Sequence, residues 1–404
     1  MLTQGGFLLH LRRSACIYAF PLMLGALILN FIIRTDRWHH EWLLAAEQLN
    51  YATLMIGPIL GAAAAWDGYQ LNRRRDRVAL GVRGFSAVIV LWATHLATVV
   101  ILFFIGFAIL LAGTFGSAGP IPGWPATLTL LPAVALLGLE AAVGLAIGVS
   151  LSSVYAAPLA AVAIYVTSIF LYVKGPIEFI SIGGASESLA AFKPIYTRQF
   201  AQEFFYISLA LLLILLTTSQ FRRSEAWLRG LTAGTGAAFV LSLVLLLPFN
   251  GDRFVQTSAS LDCSGTAPSI CMSAGYEDYR QGVAATAQPV WETLARKGVH
   301  LPRSLDQSQL PGNPRSAPLD ASILEAPTAS DITHAIVLAN VSKTCPITDD
   351  PATIKDFGMV SWWLAREAGS EEPSPYRLPS ELQGSVEEQV AWINAAMERL
   401  RECR

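Results

Sequence analysis

The chain has 404 residues, of which 53% are apolar and only 14% charged, with 28 basic against 30 acidic side chains. With a mean hydropathy of +0.46, that balance falls outside the range of ordinary soluble domains and points to a polytopic membrane protein. The apolar character stops near Phe249, and the rest of the chain is polar.

The first apolar segment, Ser14 to Ile33, carries no charge. Its length is what a helix needs to cross a hydrocarbon core of about 30 Å. Backbone groups have no water partners there, so such segments must be helical. No small-residue cleavage pattern follows it, so it is expected to stay in the membrane. Further spans are expected over 50–69, 86–111, 128–152, 154–173, 201–220 and 230–249, giving seven transmembrane helices.

Lys and Arg set the orientation, because short loops rich in them stay in the cytoplasm. With the N-terminus inside, the inner segments hold ten such residues, among them Arg73, Arg74, Arg75 and Arg77, and the outer loops hold five. The C-terminus is then expected outside, in a plasma-membrane protein. Cysteine usage agrees: Cys263, Cys271, Cys345 and Cys403 all fall in the tail, on the side where disulfides form. Four cysteines allow three pairings; Cys263 with Cys271 and Cys345 with Cys403 is the favoured one.

Within the membrane, Glu140 needs a reason, since an acid at mid-span costs about 2.5–3.5 kcal/mol on insertion scales. It either locks helix packing or serves a substrate or ion path. His95 in the third span is a candidate partner. Gly144 and Gly148, on the same span as Glu140, form a G-x-x-x-G that permits close helix approach. Asp67 and the run Asn72 to Arg77 close the second span; the arginines read as ordinary positive-inside charge or as a docking surface for a cytoplasmic protein.

From residue 251 the tail has 20 acidic against 13 basic side chains and is not a nucleic-acid binder. Apolar residues at helical spacing predict amphipathic helices through Tyr276–Leu294, Phe357–Leu364 and Val386–Leu400. The run Ala335 to Ala339 fits strand or helix, and Leu301 to Thr328 reads as a loop. The tail is therefore expected to be a mainly helical extracytoplasmic domain, with α+β as the alternative. No Gly is followed by Lys, so the chain has no P-loop, and neither catalytic motif nor cofactor is expected.

The order of these features resembles the permease subunit of a type-2 ABC exporter, especially actinobacterial forms. The passages are LTQGGFLLHLRR (Leu2–Arg13), GPILGAAAAWDGYQLNRRRDR (Gly57–Arg77), the small-residue-rich fourth span, and the stretch KGPIEFISIGGASESLAAFKPIYTRQF (Lys174–Phe200). The resemblance implies an interfacial helix over 1–13, a six-span core over 14–225, and re-entrant helices before residue 200. It also implies coupling of Asp67, Arg73, Arg74, Arg75 and Arg77 to an ATP-binding cassette subunit. Such permeases act as homo- or heterodimers in the lipid bilayer, exporting a peptide, lipid or small toxic compound. A seventh span over 226–250 and the domain over 251–404, with its C-x-G-x-x-P-x-x-C element (Cys263–Cys271), depart from that core. A non-transporting receptor or anchor is the alternative function, and an intramembrane enzyme resting on Glu140 and His95 is a third.

Overall fold

The computed structural model describes residues 14–33, 39, 41–73, 84–114, 128–172, 189, 192–220, 226–249, 253–256, 261–273, 276–307, 313–319, 324, 326–341, 351–369 and 380–402. The expected interfacial helix over 1–13 and the stretch 173–188, where re-entrant helices were expected, lie outside them, as do Arg74, Arg75, Arg77, Cys345 and Cys403.

The membrane part is built from α1 (Ala15–Ile33), α2 (Trp42–Tyr51), α3 (Thr53–Arg73), α4 (Gly84–Thr114), α5 (Leu131–Leu151), α6 (Ala156–Tyr172), α7 (Tyr196–Ser219) and α8 (Ala226–Leu246). Among the described residues, six helical stretches are long and apolar enough to cross a membrane: α1, the joined pair α2–α3 (Trp42–Arg73), α4, α5 with its short lead-in, α7 and α8. The expected fifth span is α6, apolar but only 17 residues long. At 1.5 Å per residue that is about 25 Å. The second span begins earlier than the hydropathy suggests, because the polar helix α2, WLLAAEQLNY, precedes it with a break at Ala52.

Two small-residue rows hold the centre of the bundle. On α3, Gly57, Gly61 and Ala65 face Glu140, Gly144 and Gly148 of α5, each row stepping by four residues so that one helix face is free of bulk. A Cβ on Gly144 would lie 2.2 Å from the Gly61 carbonyl oxygen, and one on Gly148 would lie 2.0 Å from that of Ala65. The two backbones therefore touch, and α3 and α5 run in the same direction. Helix α6 packs against the same seam, with Ile164 filling the space over Gly61. The apolar core around it takes in Leu27, Ile56, Leu60, Leu102, Leu137 and Leu145.

Polar contacts gather at both ends of the bundle. At one end Asn72 Nδ2 donates to the Val149 carbonyl (2.8 Å) and Gln220 Nε2 to Ser150 Oγ (3.2 Å). At the other, strand β1 (Phe192–Pro194) pairs antiparallel with β2 (Phe254–Gln256), tying the segment before α7 to the start of the tail.

The tail adds β3 (Asp262–Ser264), β4 (Ser269–Met272), α9 (Arg280–Arg296), β5 (Ser304–Asp306), β6 (Ser316–Pro318), α10 (Ala329–Ala339), α11 (Pro351–Glu367) and α12 (Val386–Glu402). Its sheet has the order β3-β4-β5-β6, antiparallel at the first pairing and parallel at the next two. Parallel neighbours need a crossover, and α9 supplies the one between β4 and β5. The tail is thus helical with a small mixed sheet, and two of its strands fall within the stretch read as a loop. The ambiguous run ending at Ala339 is helix α10, started by a capping box in which Thr328 and Asp331 satisfy each other's backbone N–H groups. Cys263 and Cys271 are directly opposed on β3 and β4 and form a disulfide. The tail's core, with Trp291, Leu305, Ile336, Trp363 and Met397, also includes Leu44 of α2.

Gly148→Val should separate α3 from α5 and destabilise the protein by about 1–3 kcal/mol or more, the usual cost of overpacking. Gly234→Ala on α8, where a Cβ meets nothing within 4 Å, should be neutral. Thermal unfolding of the detergent-solubilised chain checks both, and equal stability of the two variants would refute the seam.

In the tail, burial alone would raise the Glu367 carboxyl, but its contacts with Lys297 and Arg366 outweigh burial and hold it below its ordinary 4.5. A depressed acid stabilises the folded state above its unfolded value and loses that contribution as pH falls through the folded one. The stability gap between wild type and Glu367→Gln should therefore be full at pH 7 and shrink below about 4.5, as followed by melting temperature against pH.

Candidate functional site

Glu140 stands in the α3–α5 seam, opposite Gly57. Its Oε1 accepts a hydrogen bond from Ser168 Oγ of α6 at 3.1 Å, while Oε2 rests on Gly57, where a Cβ would lie 2.1 Å away. Only Gly at 57 leaves room for that carboxylate. Oε2 has no hydrogen-bond donor among the described residues. Glu140 thus joins α3, α5 and α6, which accounts for the packing side of its expected roles.

His95 is not the partner of Glu140. The structure puts it against Asp67 instead, with Nε2 to Oδ2 at 3.2 Å, an ion-pair distance rather than an aligned hydrogen bond. Asp67 also accepts from Ser14 Oγ at 2.5 Å and from the Ala15 backbone N–H at 3.0 Å. Its carboxylate therefore covers unsatisfied donors at the N-terminus of α1, where the helix dipole favours negative charge. Asp67 is buried, 6% exposed, and joins α1, α3 and α4 at this end of the bundle. Arg73 ends α3 at the same end of the bundle.

Sequence reasoning missed a second set of polar groups, buried in the half of the bundle nearer the tail. Glu47 of α2 is 3% exposed in its side chain and pairs with Arg253, from the start of the tail, at 2.6 Å. Glu41 accepts from the Leu189 backbone N–H at 2.6 Å and from Gln307 Nε2 of the tail at 3.4 Å. On α7, Arg198, Gln202 and Tyr206 are buried, and Gln202 Nε2 donates to the Tyr206 hydroxyl at 3.1 Å. Helix α7, packed against the α5 that bears Glu140, and helix α2 thus carry buried polar residues toward the tail. The signal was present in WLLAAEQLNY and YTRQFAQEFFY, whose polar residues a hydropathy window averages away.

Chemically, the arrangement can hold and hydrate charge inside a membrane bundle. Among the described residues no three His, Cys, Asp or Glu side chains gather as a metal site. Gly144 and Gly148 act in helix packing as expected, with Gly57 and Gly61 as their unforeseen counterparts. Of the disulfide residues, Cys263 and Cys271 are joined, and Cys345 and Cys403 lie outside the described residues.

Asp67→Ala leaves His95 and the α1 terminus without their common partner and should cost about 3–5 kcal/mol, the usual penalty for breaking a buried charged contact from one side. Arg73→Ala should cost under about 1 kcal/mol, as exposed charges do. Unfolding of the two variants under identical detergent conditions provides the comparison. Searches against protein-family models, curated proteins and solved structures find no match to this chain.

Proposed function

We propose that the chain is the membrane-spanning permease subunit of an ATP-driven exporter, with ATP hydrolysed by a separate cassette subunit. The cargo class is a peptide, lipid or small toxic compound, and the transport unit is a pair of permeases. The observation that carries this reading is the buried polar set running from Glu140 to the tail. Ionisable groups inside a membrane bundle are expensive and mark substrate or ion pathways. The resemblance in segment order to type-2 ABC permeases adds the power source.

The topology proposed with it has seven crossings, the N-terminus inside and the tail outside. Three features support it. Inner loops are richer in Arg and Lys. Helix α6 is antiparallel to α3, with Ile164 at Gly61 and Ser168 at the level of Gly57 and Glu140. The chain beyond α6 returns to the tail's end of the bundle, where Leu189 meets Glu41 and β1 meets β2. Although α6 is short, a crossing there agrees with those contacts.

In this reading the arginine-rich end of α3 receives the push of the cassette subunit, and Asp67 passes it to α1 and α4. The second reading, a receptor or anchor, is favoured by the tail's own apolar core of helices and sheet, which makes it a folded unit beside the bundle. Co-expression with a candidate cassette ATPase separates the two. The exporter reading expects co-purification, lost when Arg73, Arg74, Arg75 and Arg77 are all changed to Gln. Failure to co-purify with any cassette protein encoded by the same organism would sink it and leave the receptor.

A further inference from the structure

The residues that make the bundle polar are not spread evenly through it. Gln199, Gln202 and Tyr206 recur at i, i+3 and i+7 on α7 and so share one face. Helix α7 packs against α5, which carries Glu140, and its start is tied to Arg253 by the Ile195 N–H, which donates to the Arg253 carbonyl at 2.9 Å; Arg253 in turn pairs with Glu47. The route thus starts at mid-bundle and ends beneath the tail. Along it the oxygens Glu140 Oε2 and Gln199 Oε1 have no donor among the described residues. A buried acceptor left so bears its desolvation without compensation. Two on one route are positions that water would satisfy as soon as it could enter.

The tail covers the end of this route. Arg253 reaches in to Glu47, Gln307 reaches Glu41, Leu44 is sealed into the tail's own apolar core, and β2 is paired to β1. Gln307 is itself fixed, its Oε1 accepting from Ser273 N–H at 3.1 Å and from Ser273 Oγ at 3.0 Å. The contact is polar at its centre and so can be undone by hydration, whereas the α3–α5 seam cannot.

We propose that the C-terminal domain is the closed gate of a polar path leading to Glu140, with the Glu47–Arg253 ion pair and the Glu41–Gln307 hydrogen bond as its catch, and that release of the catch lets water into the path. This does not depend on what powers the protein or on which face of the membrane the tail occupies.

The test uses the full chain in lipid nanodiscs, where both faces are open to reagent. Gln202→Cys places a thiol on the path, and a small hydrophilic maleimide reports access, with labelled peptides resolved by mass spectrometry. Native Cys16, buried at the far side of the bundle, reports general loosening. Labelling at position 202 should be slow with Glu47 intact and at least tenfold faster in Glu47→Ala, with Cys16 unchanged. Exchanging the charges (Glu47→Arg with Arg253→Glu) should slow it again. A second comparison leaves Glu47 in place. Lys193→Cys and Val255→Cys face each other in the β1–β2 register, and oxidising that pair should slow labelling at least tenfold relative to the reduced pair. Equal rates in the oxidised and reduced proteins would overturn the gate, as would unchanged labelling in Glu47→Ala or loosening that reaches Cys16 equally.

Discussion

The close approach of α3 and α5 is the contact on which the rest of this membrane bundle depends. In lipid there is little hydrophobic gain in bringing two helices together, so association relies on intimate van der Waals contact. Gly57, Gly61 and Ala65 against Gly144 and Gly148 supply that contact by removing side chains where backbones meet. The same row decides what happens to Glu140. It is the one member with a large polar side chain, and only the bare Cα of Gly57 lets its carboxylate fold into the seam. Burial of the acid and tightness of the packing follow from one arrangement. Ser168 then recruits α6 to the same point.

From that centre the two halves of the bundle follow different rules. Toward the Arg73 end of α3, the buried acid among the described residues is Asp67, which joins three helices at once. A carboxylate bonded to a helix N-terminus and beside an imidazole is well compensated and has little reason to move. Toward the tail, buried charged and amide side chains are more numerous among the described residues, and some of their partners come from outside the bundle. Arg253 and Gln307 belong to the tail, yet they answer Glu47 and Glu41 of α2. Without the tail, Glu47 would lose its cation and Glu41 one of its donors, so tail and bundle complete one another.

Much of this architecture was legible. Long uncharged runs such as Ser14 to Ile33 identify themselves, because hydrocarbon tolerates nothing else. The amphipathic helices of the tail were likewise readable from their spacing. Gly144 and Gly148 were visible as a pair, but the facing row on α3 was not, since a G-x-x-x-G says nothing about which helix answers it. Glu140 stood out by its cost, whereas the internal position of Asp67 was not legible, because an acid beside an arginine run looks like surface charge. Only the contact from Ser14, 53 positions away in sequence, shows it to be internal. The strands β5 and β6 escaped notice because three-residue strands carry too few side chains to display an alternating pattern. Helix α2 was missed since its polar residues satisfy partners drawn from distant segments.

An ion pair suits the junction between tail and bundle better than an apolar seal would. A buried pair contributes little net stability over an apolar contact of the same shape, because desolvating two charges offsets most of their attraction. Removing one partner is severe, since the other stays buried and alone. Hydrating both at once is mild, because water returns to each charge what the pairing gave it. An apolar seal behaves in the opposite way: each patch exposed costs about 25 cal/mol per Å² with nothing returned. The junction here combines both, with Leu44 in the apolar core and Glu47–Arg253 beside it. The apolar part sets how firmly the tail sits at rest. The charged part sets where it sits, and it lowers the free energy of parting once water reaches the pair.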